Sequence, residues 1–297
     1  MGGRPVVQVV RLGLVSYQEA LKQQQAYVNL TRSGSAHALL LCQHPPVYTT
    51  GIRHKPYPPA QLDRLRLLGA DVHRTNRGGL ITFHGPGQLV CYPVLNLSSF
   101  QKSVRWYVGA LEETILSLCS GFGIRASTSP HTGVWVGDNK ICAIGIHCGH
   151  WVTSHGLALN CNTDLSWFRH IVPCGVPGKG VTSLSAELQR DVGVDETVPH
   201  LLHAFRERFC CRLTDGPPPG SGQTDGPPPG SGQTDGPPPG SGQTDGPPPG
   251  SGQTDEPPPG SGQTDGPPPG SGQTDGPPPG SGQTDGPPPG SGQHRGE

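Results

Sequence analysis

The 297 residues carry 21 Lys and Arg against 22 Asp and Glu, but that balance averages two unlike parts: residues 1–213 hold 20 basic and 12 acidic side chains, a net of +8. From Thr214 the unit TDGPPPGSGQ recurs eight times in tandem to Gln293, with Glu256 the one departure, so 24 of the 36 prolines and no large apolar residue fall in the tail. Such a segment cannot bury enough surface to offset chain entropy, and a period of ten without glycine at every third position excludes collagen.

Residues 1–213 suffice for one domain with its own core, and residues 214–297 are expected to be a disordered repeat tail. The positive balance favours an acidic partner, whereas the lack of a Lys/Arg cluster or of aromatic-basic interleaving argues against nucleic acid. No apolar run is long enough to span a membrane. Nine cysteines without a repeating framework, and no secretory signal ahead of them, favour reduced thiols inside the cell. The first 18 residues hold Arg4 and Arg11 and no acid, a weak organelle-presequence signal that overlaps a strand pattern.

In chain order, 6–15 (VVQVVRLGLV) alternates as a strand and 17–30 is helical. A short buried strand follows at 38–42, then a helix at 58–69 opened by proline and closed by Gly69. LITFH (80–84) and LVCYPV (89–94) read as strands flanking His-Gly-Pro-Gly, which on its own reads as a tight hairpin with His84 at its lip. The clearest helix spans 103–119, capped by Ser103 and ended by Gly121, with Val104, Tyr107, Val108, Leu111, Ile115 and Leu118 on one face. GVWVG and KICAIGI form a hairpin about Asp138-Asn139, 151–162 is a further strand, and two closing helices cover 183–193 and 198–209. Hairpin-paired strands with interspersed helices predict an α+β fold with a mixed sheet flanked by helices.

Three places carry chemistry. In RGGLITFHGPGQ (77–88) the paired glycines let backbone approach a ligand, and no Gly-Lys-Ser/Thr follows to make it a phosphate loop. In HIVPCGVPGKG (170–180) Cys174 sits at a loop corner before a helix, where it is either an activated nucleophile or a small buried hydrophobe. Lys140 opens an apolar strand, as a base or thiolate partner over a cleft or as an exposed hairpin lysine. No metal site is expected: Cys142, His147, Cys148, His150, His155 and Cys161 lie close in sequence but contain no C-x-x-C pair. Nor is there a G-x-S-x-G elbow for a serine hydrolase.

RGGLITFHGPGQ, KICAIGI, SHGLALNCNTDL and HIVPCG, in this order, resemble the lipoyl(octanoyl) transferases, the mitochondrial enzymes of animals most closely, over roughly residues 5 to 211. The resemblance implies a fold like that of biotin and lipoate protein ligases, with 1–213 as the octanoyltransferase catalytic domain. It implies transfer of octanoyl from octanoyl-acyl carrier protein, through a cysteine thioester, to the lipoyl-domain lysine of 2-oxoacid dehydrogenase complexes and of glycine cleavage H protein. By motif position, Cys174 corresponds to the acylated nucleophile and Lys140 to its activating partner. The substrate-binding segments correspond to Arg77, Gly78, Gly79, Leu80, Ile81, Thr82, Phe83 and His84, to Ala143, Ile144 and Gly145, and to Gly156, Leu157 and Ala158. No cofactor, a monomer and the mitochondrial matrix are likewise implied. The glycine segments are expected to bring backbone N–H groups to the oxyanion, with Gly79→Val depressing acylation while leaving the fold intact. The competing readings are an ATP-dependent ligase on the same scaffold, which would not need Cys174, and a non-catalytic binder of acylated carrier.

Overall fold

The computed structural model describes residues 3–34, 36–53, 57–172 and 178–217. The strands are β1 (Val6–Leu14), β2 (His37–Gln43), β3 (Val47–Thr50), β4 (Asp71–Arg74), β5 (Thr82–His84), β6 (Gln88–Val94), β7 (Val134–Val136), β8 (Asn139–Gly149), β9 (Val152–Asn160), β10 (Gly180–Val181) and β11 (Arg212–Asp215). The helices are α1 (Tyr17–Arg32), α2 (Pro59–Leu67), α3 (Val104–Gly121), α4 (Leu184–Leu188) and α5 (Val194–Arg208).

Among the described residues, eight strands make one sheet in the order β10-β8-β9-β6-β2-β1-β11, with β7 beside β8. β1 runs parallel to β2 and β11, β10 runs parallel to β8, and the pairs between β2, β6, β9 and β8 are antiparallel. The mixed sheet with helices is thus as the alternating pattern predicted. Its central strands are buried on both faces, and the period of two divides their side chains cleanly. Leu39, Leu41, Leu89, Cys91, Leu157 and Leu159 meet α3 and α5, while Ala38, Leu40, Val90, Tyr92 and Ala158 meet the α1 side.

Helix α3 starts where expected, its Ser103 side chain accepting from the Trp106 N–H. Tyr107, Leu111, Ile115 and Leu118 bury its apolar face, but Val104 is exposed and Val108 turns toward a cavity. α5 begins at Val194, before the expected 198, because Asp195 and Glu196 favour its first turn; Pro199 lies inside the helix, where it has no N–H to give the Asp195 carbonyl.

A second, three-stranded sheet, β4-β3-β5, was not expected. β3 and β4 are four residues each and largely polar, too short for a period-two signal. This sheet overturns the hairpin reading of His-Gly-Pro-Gly. β5 pairs with β3, β6 pairs with β2 and β9, and the loop carries the chain from one sheet to the other. α2 and the 3-10 turn at Leu165–His170 close a separate small core with Tyr48, Leu62, Leu65, Ile81, Phe83 and Phe168.

At the other edge the sheet reaches past the expected boundary at 213. Thr214 and Asp215, the first residues of the first repeat, pair with Gln8 and Val9 of β1. The Tyr27 hydroxyl donates to the Pro217 carbonyl at 2.7 Å. The rest of the tail, from 218, lies outside the described residues, and so does its expected disorder.

Candidate active site

A cavity of about 430 Å³ opens where β8 and β9 of the large sheet approach the 77–84 segment, with Tyr17 of α1 and Val108 of α3 also in its wall. The structure brings to it Arg77, Gly78, Gly79, Leu80, Thr82 and His84, the Ala143–Gly145 and Gly156–Ala158 segments, and Lys140. Ile81 and Phe83 do not line it. Strand alternation turns them the other way, into the small core against Phe168 and Leu62.

Lys140 is buried, not an exposed hairpin lysine, at 5% exposure. Its Nζ donates to the Thr132 carbonyl at 3.0 Å and stands 4.6 Å over the Trp135 ring, so the ammonium is held by one carbonyl and one π face. Cys174 lies outside the described residues. The chain that follows it does not: β10 pairs Gly180 with Asn139 and Val181 with Lys140, and the Thr182 N–H donates to the Lys140 carbonyl at 3.0 Å. Burial pushes the Cys161 thiol up to about 11 and that of Cys142 well above its ordinary range, which leaves both as poor nucleophiles.

Arg77 holds the paired glycines from beneath. Its Nη1 donates to the Gly78 carbonyl at 2.9 Å, and its Nη2 donates to the Thr49 carbonyl at 2.7 Å, the Thr49 hydroxyl at 2.9 Å and the Leu80 carbonyl at 3.0 Å. A buried guanidinium surrounded by carbonyl oxygens is tolerable because each N–H replaces a bond lost from water. The Gly78 N–H is spent on the Ile146 carbonyl at 2.9 Å, so it is not available to an oxyanion as the sequence had led us to expect. Gly79 has φ +95°, where a β-branched residue is strained, so Gly79→Val would disturb the loop itself. The glycines of β8 and β9 answer first to the protein's own backbone: a Cβ at Gly145 would meet the Gly78 carbonyl oxygen at 2.9 Å, and one at Gly156 would overlap that of Cys91.

His84 is not at a lip. It is 7% exposed, within the wall. Its Nδ1 lies 2.7 Å from Gln88 Oε1 and its Nε2 3.2 Å from the Thr49 hydroxyl, and Tyr17 stacks on it with centroids 6.2 Å apart. Burial, with the His44 ring and Arg77 nearby, pushes its pKa down to about 3, while the Gln88 bond opposes the shift. His44 donates from Nδ1 to the Val15 carbonyl at 2.8 Å, and its Nε2 accepts from the Tyr92 hydroxyl at 2.8 Å. Burial lowers its pKa as well. His155, with φ +55°, donates from Nε2 to Asn76 Oδ1 at 2.7 Å, and burial and Arg77 push its pKa down to about 4. These imidazoles are therefore neutral at physiological pH.

Tyr17, His44, Thr49, Gln88, Tyr92, His155 and Asn160 were not singled out as substrate-site residues from the sequence. Polar residues at the ends of apolar strands, as in GQLVCY and LALNCN, were the available signal. Among the described residues no group of three or more His, Cys, Asp or Glu is arranged to hold a metal ion.

Comparison with known proteins fits this geometry. The lipoyl protein ligase A/B catalytic domain family matches residues 16–206. The mitochondrial octanoyl-[acyl-carrier-protein]:protein N-octanoyltransferase of Danio rerio is 65% identical over 214 residues, covering 71% of this chain and 96% of that protein. The Homo sapiens protein of the same description is 52% identical over 223 residues, with coverage of 71% and 96%. In fold, the chain is similar to a bipartite lipoate protein ligase of Thermoplasma acidophilum, with a TM-score of 0.57 at 18% identity, covering 72% of this chain and 87% of that one.

Proposed function

Since the chain belongs to the lipoyl protein ligase A/B catalytic domain family, with mitochondrial octanoyltransferases among its relatives, we propose that it transfers octanoyl through a thioester on Cys174. It is a mitochondrial acyltransferase of the octanoyl-[acyl-carrier-protein]:protein N-octanoyltransferase kind. The donor is octanoyl-acyl carrier protein. The acceptor is the ε-amino group of a lipoyl-domain lysine, in 2-oxoacid dehydrogenase complexes and in glycine cleavage H protein, and the compartment is the matrix.

The Cys174 thiolate attacks the donor's thioester carbonyl, the carrier's thiolate leaves and takes a proton, and the octanoyl group rests on the enzyme. The acceptor amine then attacks that thioester, an amide forms, and the Cys174 thiol is restored. Cysteine suits both halves because its thiolate is a good nucleophile and a good leaving group. Exchange between thioesters is nearly isoenergetic and amide formation is downhill, so no ATP enters. Lys140 holds the proton that the Cys174 thiol has given up, so that its ammonium stabilises the thiolate, and it passes that proton to the departing carrier thiolate.

The observation that carries this reading is the buried ammonium of Lys140 in the cavity wall, with the strand that follows Cys174 paired directly alongside it. Neutral His84 and His155 add no charge to the wall of a cavity meant for an acyl chain. The active species in this reading is a monomer.

Intact-protein mass spectrometry after incubation with octanoyl-acyl carrier protein, without ATP, tests it. One added octanoyl group on the wild type, labile to hydroxylamine and discharged by a lipoyl domain, is expected, and no labile adduct on Cys174→Ser. Transfer that appears only with ATP and leaves no adduct would replace the relay with a ligase mechanism.

A further inference from the structure

From His84 and Arg77 in the cavity wall, a chain of buried hydrogen bonds runs back into the protein, its direction dictated from the far end. The Thr182 carbonyl can only accept, so the Asn160 amide turns its Nδ2 toward it, at 2.9 Å. Asn160 Oδ1 then faces Gln88, whose Nε2 donates to it at 2.9 Å and to the Phe83 carbonyl at 3.1 Å. That leaves Gln88 Oε1 facing His84 Nδ1 at 2.7 Å, and an amide oxygen requires a proton on that nitrogen. A neutral imidazole with its proton on Nδ1 has a bare Nε2, which takes the Thr49 hydroxyl proton at 3.2 Å. The Thr49 oxygen in turn accepts from Arg77 at 2.9 Å.

We propose that Gln88 and Asn160 are positioning residues: their paired amides fix His84 as the neutral Nδ1–H tautomer and, through Thr49, orient Arg77 under Gly78 and Gly79. The inference rests on octanoyl transfer being the reaction at this cavity. Both amides are buried, at 1% and 4% exposure, and every polar atom between Arg77 and Thr182 along this chain has its partner. The same Thr182 binds the Lys140 carbonyl through its N–H and Glu187 through its hydroxyl at 2.6 Å. The relay therefore joins the glycine segment to the strand alongside the catalytic lysine. A half-satisfied version would leave buried polar atoms unpaired, which is why the two amides act as a unit.

Gln88→Glu is the informative change. It keeps the shape and the acceptor facing His84 but replaces the amide with a carboxylate, which favours the imidazolium. Tyr17 from α1, His44 after β2, Arg77 and His155 from β9 face the ring, and of these Arg77 opposes the added charge while the neutral rings do not compensate it. A protonated Nε2 would then donate to the Thr49 oxygen, reversing that one bond and competing with Arg77 for the same oxygen.

The test combines imidazole nitrogen NMR of the full chain with the rate of octanoyl loading. In the wild type, His84 is expected as Nδ1–H with a bare Nε2 throughout pH 5.5 to 8. In Gln88→Glu, His84 is expected to be an imidazolium at pH 6, with loading reduced at least about tenfold there and partly restored at pH 8.5, where the lost Gln88 Nε2 bonds to Asn160 and Phe83 still hold it below wild type. A wild-type Nε2–H tautomer, an unchanged loading rate, or a loss equal at both pH values would overturn the relay. If Gln88→Glu does not fold, Gln88→Met serves: it removes the acceptor, and a His84 that remains wholly Nδ1–H would also overturn it. The tautomer is read without substrate, so absence of any wild-type adduct would count against octanoyl transfer and not against the relay.

Discussion

One carbonyl and one aromatic face set the chemistry of Lys140. At Lys140 a cation sits between the Thr132 carbonyl and the Trp135 ring, pinned on a strand with its stem beside Gly133, where a Cβ would approach Lys140 Cε to 3.3 Å. Lys140→Met is expected to reduce the single-turnover rate of Cys174 acylation by about 100-fold or more, with melting temperature little changed, read by rapid-quench mass spectrometry. Lys140→Arg should not rescue it, because a planar guanidinium cannot occupy a point-charge site nor take up a proton.

The buried histidines make a second, separable claim about acid. For His84 the folded pKa is about 3 and for His155 about 4, against about 6.5 in the unfolded chain. The unfolded state therefore binds the extra protons first, so stability is full above pH 6.5 and falls as pH drops toward 3 or 4. Each histidine contributes a slope of roughly 1.4 kcal/mol per pH unit within that window. Urea unfolding at pH 7 and pH 5 should show the loss, and His155→Asn should flatten it. An equal slope in that variant would refute the assignment.

Among the elements, β6 and β9 are closely fitted at Gly156. Gly156 lies where any side chain would strike the Cys91 carbonyl and the Pro93 ring of the neighbouring strand. Gly156→Ala is expected to cost at least about 2 kcal/mol in urea unfolding, since the collision is with backbone that cannot step aside. Ser103→Ala, at the start of α3 and away from the site, should cost about 1 kcal/mol by removing the bond to Trp106 N while leaving acylation at its wild-type rate. At this scale the helices and long strands were legible in sequence because their periodicity is local. β3, β4, β10 and β11 were not, because two to four residues carry no period and their pairing is decided by partners far along the chain.

For the whole molecule, charge and edge matter most. The net +8 of residues 1–213 predicts that donor KM rises with ionic strength while kcat holds, because screening weakens encounter with an acidic carrier before it touches the chemistry. A KM indifferent to salt would remove that electrostatic account. The β1 edge gives the other prediction. Truncation after Pro217 should keep both the melting temperature and acylation. Truncation after Cys211 strips β11 from β1 and the Pro217 carbonyl from Tyr27, and should lower the melting temperature by several degrees.

Sequence alone determined the α+β class, the long elements, the basic domain ahead of an acidic repeat, and the motif set from RGG to HIVPCG. These are properties of local periodicity, composition and spacing, which survive without knowledge of contacts. Only the tertiary structure decided that His-Gly-Pro-Gly crosses between two sheets, and that Ile81 and Phe83 turn away from the cavity while Thr82 and His84 face it. The same holds for Gly78 spending its N–H on Ile146 and for Gln88 meeting Asn160 across 72 residues of chain. Each of these depends on which distant backbone a residue is brought against, and burial then makes one hydrogen-bond direction the only affordable one.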